Sequence, residues 1–177
     1  FHKLYGADLV LSPEMKSTGE VMGISSNFGV SFAKAQLSAG NKIPTEGTCF
    51  LSFVDTDKEH APEIARGLVE QGFKLVATKG TQNILEKAGI PCELVLKISE
   101  GRPNIEDSMK NDEISMAINT SDNNTSKKDA VVIRQEVLKR SIPYFTTLSA
   151  ARALILALEE MKDEAWSNPK ALQDFLV

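Results

Sequence analysis

The chain has 177 residues, 42% hydrophobic and 25% charged, and its formal net charge at pH 7 is −4. This length suits one main domain with a buried core and an appendage, and no window approaches the roughly 18 uncharged apolar residues of a membrane span, so we expect a soluble protein. The negative charge excludes a general attraction to nucleic acid or to an anionic membrane, so any anion site must be built locally.

The first part of the chain predicts little regular structure. It opens without an initiator methionine or a signal pattern, so we expect a fragment of a longer polypeptide. Residues 1–26 carry several glycines and few periodic apolar positions, which predicts irregular chain with a short strand near residues 7–11. Residues 27–40 then have the apolar spacing of a helix, and the polar residues 41–47 are expected to form a linker.

Strand-like and helix-like segments alternate beyond residue 47, which predicts βα units around a parallel sheet. The five predicted strands are residues 48–54, 74–78, 93–97, 115–119 and 143–145. We therefore expect an α/β fold with three layers, in which helices flank a five-stranded, mainly parallel sheet.

Helices are predicted between these strands from apolar positions with helical spacing. The first follows Thr56 and Glu59, which form a capping-box pattern, and it ends at Gly72. The others are expected near residues 81–89, from Pro103 onward, at 127–139, at 149–161 with Thr147 as its cap, and after Pro169.

The cysteines and histidines give no sign of a metal centre. Cys49 and Cys92 each lie in an apolar, strand-like run without CxxC spacing, which favours buried free thiols in a reducing, cytoplasmic compartment. His2 and His60 have no second ligand four residues away, so we expect no zinc site. GxSxG, Walker A and GxGxxG motifs are absent from the sequence, so the chemistries that depend on them have no support.

Polar side chains cluster where the predicted strands give way to helices, which is the edge where open α/β sheets bind ligands. The clusters are residues 55–58, 78–81, 97–100 and 119–121. Hydroxyls, amides and lysines dominate them, and Gly80 would let backbone N–H groups approach an anion at a helix N-terminus. The sequence therefore predicts a phosphate cradle; the alternative is that Thr81 only caps its helix and Gly80 only turns the chain.

Five segments of the sequence are specific enough to indicate a family. The segment SPEMKSTGEVMG at residues 12–23 is similar to the signature that closes the second ATP-grasp half of the large subunit of carbamoyl-phosphate synthase. Four later segments resemble, in order, the C-terminal allosteric domain of that subunit: ATKGT at 77–81, EGRPNIEDSMKN at 100–111, AINTS at 117–121 and VIRQ at 132–135. That domain has a methylglyoxal-synthase-like, Rossmann-like fold. The resemblance implies that residues 1–44 hold the end of the ATP-grasp region and a linker, and that residues 45–177 form the allosteric domain.

The same resemblance implies a regulatory function. The whole enzyme is an ATP-dependent ligase that makes carbamoyl phosphate from glutamine and bicarbonate for arginine and pyrimidine biosynthesis. It uses Mg²⁺ or Mn²⁺ and K⁺, and it works with a glutaminase small subunit. Its last domain binds effectors and carries no catalytic residue, so this chain is expected to sense UMP and IMP without catalysis and without a cofactor or metal of its own.

The resemblance also assigns residues to two ligand sites. The residues assigned to the nucleotide phosphate are Ser52, Lys58, Thr78, Thr81, Lys97, Asn119 and Ser121, the last a hydroxyl in place of the usual threonine. The strand-end argument adds Lys79, Gly80 and Thr120. Tyr144 and Thr146 match the ornithine-contacting residues of the family, but the acidic partners of that site belong to the preceding domain, so ornithine binding is expected to be weak or absent.

Two other functions stay open. A methylglyoxal synthase would share the fold and the phosphate cradle, but it would need a catalytic aspartate in a Gly-rich loop where this chain has SEGRPNIEDSMKN at 99–111. An oligomerisation module that packs identical subunits is the second alternative. The arginine pair that often follows the NTT segment is replaced by SDNNTSKKD at 121–129, where Lys127 and Lys128 could supply charge, and this leaves the identity of the effector open.

Overall fold

The protein is built on one sheet of five parallel strands. A computed structural model describes residues 21–120 and 127–175, so the strand predicted near residues 7–11 lies outside the described residues. The strands are β1 (Thr48–Phe53), β2 (Lys74–Ala77), β3 (Glu93–Leu94), β4 (Met116–Thr120) and β5 (Tyr144–Phe145). Their order is β3-β2-β1-β4-β5, and every neighbouring pair is parallel. The predicted α/β fold is therefore confirmed.

Helices cover both faces of the sheet and make three layers. They are α1 (Phe28–Ser38), α2 (Ala61–Glu70), α3 (Lys79–Lys87), α4 (Ile105–Lys110), α5 (Lys127–Lys139) and α6 (Leu148–Glu160). Helices α1, α2, α3 and α6 pack on one face, and α4 and α5 pack on the other. None of the described helices is long and apolar enough to cross a membrane.

Strand β1 supplies both halves of the core because its side chains alternate between the two faces of the sheet. Leu51 and Phe53 are buried in the cluster formed with α1, α2, α3 and α6. Phe50 is buried on the opposite face against α4 and α5. The next side chain on that second face is Ser52, so the apolar layer ends in a polar group at the carboxyl end of the strand.

The predicted start of the helix after β1 is wrong. Asp55–His60 form a 3-10 turn, and α2 begins only at Ala61, with Pro62 in its first turn. The Thr56 hydroxyl donates to the Asp57 carboxylate instead of capping the helix. Proline lacks an N–H and fits the first turn of a helix, so the α-helix starts there and the preceding turn is tighter.

Other element ends shift by a few residues. Helix α3 starts at Lys79, two residues before the predicted position. Strand β3 is shorter than predicted, and past it Leu96 makes a single bridge to Asn104. The prediction for α6 is confirmed at its cap, where the Thr147 hydroxyl accepts from the Ala150 N–H at 3.1 Å.

The cysteines and the C-terminal segment differ in part from expectation. Cys49 is a buried free thiol on β1 as predicted, whereas Cys92 is free but only partly buried and lies just before β3. Burial raises the pKa of the Cys92 thiol to about 11.

Beyond Pro169 the chain forms a 3-10 turn, Leu172–Phe175, where a helix was predicted.

Helix α1 and the linker pack into the same core as the sheet. Ala33 of α1 and Ile43 of the linker are buried in the cluster around α6, and the N-cap Asn27 donates to the Glu160 carboxylate at 2.8 Å. These contacts place residues 27–43 against α6. The division of the chain at residue 44 stays a prediction.

Candidate functional site

A pocket of about 300 Å³ opens at the carboxyl ends of the central strands. The chain runs from β1 outward through β2 and β3 and then crosses to β4 and β5, so the strand order reverses between β1 and β4. Open α/β sheets bind ligands in the crevice at such a reversal. The lining residues are Phe50, Ser52, Phe53, Val54, Asp55, Lys58, Thr78, Gly80, Lys97, Ile98, Ile105, Asn119, Asp129, Ala130 and Ile133.

Two polar side chains from adjacent strands form the base of this pocket. Ser52 of β1 is in register with Asn119 of β4, so both project from the same face at the same height of the sheet. Asn119 is only 4% exposed. Its Nδ2 donates a hydrogen bond to the Tyr144 hydroxyl at 2.9 Å.

Two lysines bring positive charge to the pocket from different loops. Lys58 lies on the 3-10 turn after β1, and Lys97 lies directly before the 3-10 turn Ile98–Glu100. The Lys58 ammonium group is paired with the Asp55 carboxylate. This hydrogen bond and the charge of Lys58 hold the pKa of Asp55 below its usual value, and the charge of Lys97 adds to the effect.

The N-terminus of α3 also faces the pocket. Thr78 occupies the N-cap position with an extended backbone, and its side chain makes no capping hydrogen bond. Gly80 follows in the first turn, and a Cβ placed there would lie 2.8 Å from Lys58 Nζ, so glycine at this position lets the lysine approach the helix end. Backbone N–H groups at such an end favour an anion, because the helix dipole is positive there.

Two of the predicted threonines have structural roles. The buried Thr81 hydroxyl accepts from the Phe53 N–H at 3.0 Å. The Thr120 hydroxyl accepts from the Val54 N–H at 3.2 Å. Each hydroxyl therefore satisfies a backbone group where β1 ends and its turn begins, and neither side chain lines the pocket.

The remaining predicted residues lie elsewhere. The Lys79 side chain is exposed and does not line the pocket, and Ser121 lies outside the described residues. Tyr144 does not line the pocket, but its hydroxyl is hydrogen-bonded to Asn119, which does. Thr146 is exposed just past β5. Of the predicted anion-site residues, the structure thus brings together Ser52, Lys58, Thr78, Gly80, Lys97 and Asn119.

Asp129 lines the pocket although the sequence did not indicate it. It lies in the first turn of α5, and its carboxylate accepts from the Ser99 hydroxyl at 2.7 Å and from the Ser99 N–H at 3.3 Å. These bonds join the start of α5 to the loop after β3. The sequence gives one signal, the position of Asp129 in a predicted first helical turn. That signal does not indicate a pocket, because acidic residues are common in first helical turns.

The pocket therefore combines cationic, acidic, polar and apolar groups. Phe50, Ile105 and Ile133 supply the apolar side, and the lysines and the α3 N-terminus supply the positive side. Among residues 21–120 and 127–175, no group of three or more His, Cys, Asp or Glu side chains could hold a metal ion. The arrangement suits a small organic anion that has an apolar or planar part.

Comparisons with known proteins agree with one another on the domain. The family model for the MGS-like domain matches residues 60–146. The carbamoyl phosphate synthase large chain of Helicobacter pylori strain J99 is 57% identical over 99% of this chain, which spans 16% of that relative. The C-terminal section of the Methanopyrus kandleri large chain is 47% identical over 93% of this chain, which spans 30% of that protein.

A solved structure supports the fold. Methylglyoxal synthase from Elizabethkingia anophelis NUHP1 superposes with a TM-score of 0.50 and 18% sequence identity, covering 73% of this chain and 96% of that enzyme. At this identity the likeness concerns the fold alone. It agrees with the five-stranded parallel sheet described above.

Proposed function

We propose that this chain is the nucleotide-sensing regulatory domain of a carbamoyl phosphate synthase large chain, since its residues 60–146 match the family model for the MGS-like domain. The similarity to large chains from a bacterium and an archaeon over nearly the whole chain supports this assignment. The observation that carries the sensing function is the convergence of side chains from β1, β4, α3 and the loop after β3 on one pocket.

Within this pocket we assign the ligand phosphate to the cationic side. Lys58 and Lys97 supply positive charge, and the Thr78 hydroxyl lies at the N-terminus of α3. Gly80 has no side chain to cover the backbone N–H groups at that helix end. Hydrogen bonds from charged groups to phosphate are the stronger ones in proteins, so these groups are expected to dominate the affinity. The apolar wall of Phe50, Ile105 and Ile133 is assigned to the base of UMP or IMP.

We further propose that the whole protein is the ATP-dependent ligase, with Mg²⁺ or Mn²⁺, K⁺ and a glutaminase small subunit as its cofactors and partner, and that this chain takes no part in the chemistry. The chain spans about a sixth of the length of the bacterial relative. The Asp55 and Asp129 carboxylates of the pocket are already hydrogen-bonded to Lys58 and Ser99, so we assign the pocket to recognition and not to turnover.

The test is calorimetric titration of this chain with UMP and with IMP. Lys97→Ala and Thr78→Val each remove a proposed phosphate contact, and a contact of this kind is worth about tenfold to a hundredfold in affinity. Lys87→Ala is the matched control, because it removes the same charge from the far end of α3. We expect it to leave the affinity within roughly twofold of the parent.

Three results would count against the proposal. The first is an absence of binding at millimolar UMP and IMP. The second is an equal affinity for the parent, Lys97→Ala and Thr78→Val, which would place the ligand elsewhere. The third is production of methylglyoxal from dihydroxyacetone phosphate, which would make the chain an enzyme instead of a sensor.

A further inference from the structure

Tyr144 is hydrogen-bonded to a side chain of the pocket wall. Its hydroxyl accepts from Asn119 Nδ2 at 2.9 Å, whereas the tyrosine itself is not among the residues that line the pocket. The bond joins β4 to the edge strand β5. It is therefore a contact behind the pocket wall, made to a residue in that wall.

The register of the sheet explains why these two residues meet. Tyr144 pairs with Ala117, and Asn119 lies two residues further along β4 on the same face. The Tyr144 ring packs against the buried cluster formed by β1, β4, α4 and α5. The hydroxyl is thus held in place by the packing of the ring.

An asparagine amide needs such a partner to hold one orientation. The last torsion of its side chain has a broad energy profile, so the amide plane rotates easily when no hydrogen bond fixes it. With one Nδ2 hydrogen donated to Tyr144, the amide keeps one plane. Its remaining hydrogen and its carbonyl oxygen then have fixed directions at the base of the pocket.

We propose that Tyr144 is a positioning residue for the anion pocket, which fixes the Asn119 amide in the orientation that receives a phosphorylated ligand. The inference rests on the proposed nucleotide-sensing function of that pocket. To the residues assigned to the ligand it adds Tyr144, which raises the affinity without touching the ligand. The role is separate from any contact that Tyr144 makes with a second ligand.

A double-mutant cycle with UMP as the probe tests this role. Tyr144→Phe keeps the ring that packs in the core and removes only the hydroxyl, so we expect the affinity of this chain for UMP to fall about threefold to tenfold, the worth of one hydrogen bond. In an Asn119→Ala background the same change should alter the affinity by no more than roughly twofold, because the group that Tyr144 positions is gone. In a Lys97→Ala background the full effect should remain, since Lys97 lies on a different loop.

The cycle separates positioning from a structural effect. A merely structural loss would lower the affinity by the same factor in all three backgrounds, and this result would overturn the proposal. An unchanged affinity in Tyr144→Phe would also overturn it, while the effect of Lys97→Ala would still support the proposed function. If the parent chain binds no UMP, both the function and the role of Tyr144 are rejected together.

Discussion

Lys58 is already paired before any ligand arrives. Its ammonium group contacts the Asp55 carboxylate, which is 92% exposed, and the pKa of Asp55 is lowered by this hydrogen bond and by the charge of Lys58. Asp55 is therefore ionised throughout the neutral pH range. An anion that enters the pocket must compete with this carboxylate for Lys58, so Asp55 lowers the affinity of the site.

Removing that competition should tighten binding. In Asp55→Asn we expect the affinity for UMP to rise about twofold to fivefold at low salt, the usual range for an exposed ion pair, and the gain to shrink as ionic strength rises. Titration calorimetry at two salt concentrations measures both effects. Asp57→Asn is the control, because it removes the same charge from the same turn but does not line the pocket. Weaker binding in Asp55→Asn would show that the carboxylate itself contacts the ligand.

Residue type alone could not separate the threonines near the strand ends. Thr78 lines the pocket, whereas the hydroxyls of Thr81 and Thr120 accept backbone N–H groups of β1 and its turn. All three lie at or shortly after the end of an apolar strand, so their local sequences look alike. The difference depends on which backbone groups are left unpaired by a neighbouring strand, and that neighbour is distant in sequence. The same reason hides Asp129, whose pocket position depends on where α5 begins relative to Ser99.

Close packing of α1 on α6 depends on one glycine. Gly29 is buried in the first turn of α1, and a Cβ at this position would lie 2.5 Å from the Leu156 carbonyl oxygen of α6. Backbone atoms of a helix cannot move away as a flexible side chain can. The two helices therefore approach each other through a position that has no side chain.

Gly29→Ala tests this contact. Alanine favours a helix over glycine by about 1 kcal/mol, but the overlap should cost about 1 to 3 kcal/mol, so we expect a net loss of up to about 2 kcal/mol in the free energy of unfolding. Urea denaturation measures the change. Ser38→Ala, at the exposed end of α1, should stay within about 0.5 kcal/mol of the parent. A stabilised Gly29→Ala would mean that α1 does not pack on α6 in this way.

Elements were predictable where the apolar period was long and uninterrupted. The limits of α5 match the predicted residues 127–139, and five strands were found where five were expected. The ends of helices and strands were harder to predict, because they depend on competition between local hydrogen bonds. Thr56 pairs with Asp57 within a 3-10 turn, and α2 starts only at Ala61, with Pro62 in its first turn. Strand β3 is short because its partner β2 ends at Ala77, directly before Thr78, the N-cap of α3; past β3, Leu96 bridges to Asn104.

The whole molecule places the pocket between two halves of the sheet. Thr78 and Lys97 come from the side of β2 and β3, whereas Asn119 and Asp129 come from the side of β4 and α5. The sequence predicted that the strand ends would share an edge, since all strands are parallel. It did not predict their order, because the reversal between β1 and β4 is set by how the helices distribute over the two faces. A ligand in the pocket would bridge both halves.

Such a bridging ligand should stabilise the whole domain. At a UMP concentration one hundred times its Kd, binding adds about 2.7 kcal/mol to the free energy of unfolding, which corresponds to a rise of roughly 5 to 10 °C in Tm for a chain of this size. At the same concentration Lys97→Ala, with affinity about tenfold to a hundredfold lower, should keep at most about half of that rise. Without ligand its Tm should match that of the parent, because the Lys97 side chain is only partly buried. Thermal denaturation followed by circular dichroism measures all four values. An equal rise in both chains would mean that UMP binds the domain at another surface. No rise in the parent would mean that UMP does not bind the folded domain more tightly than the unfolded chain.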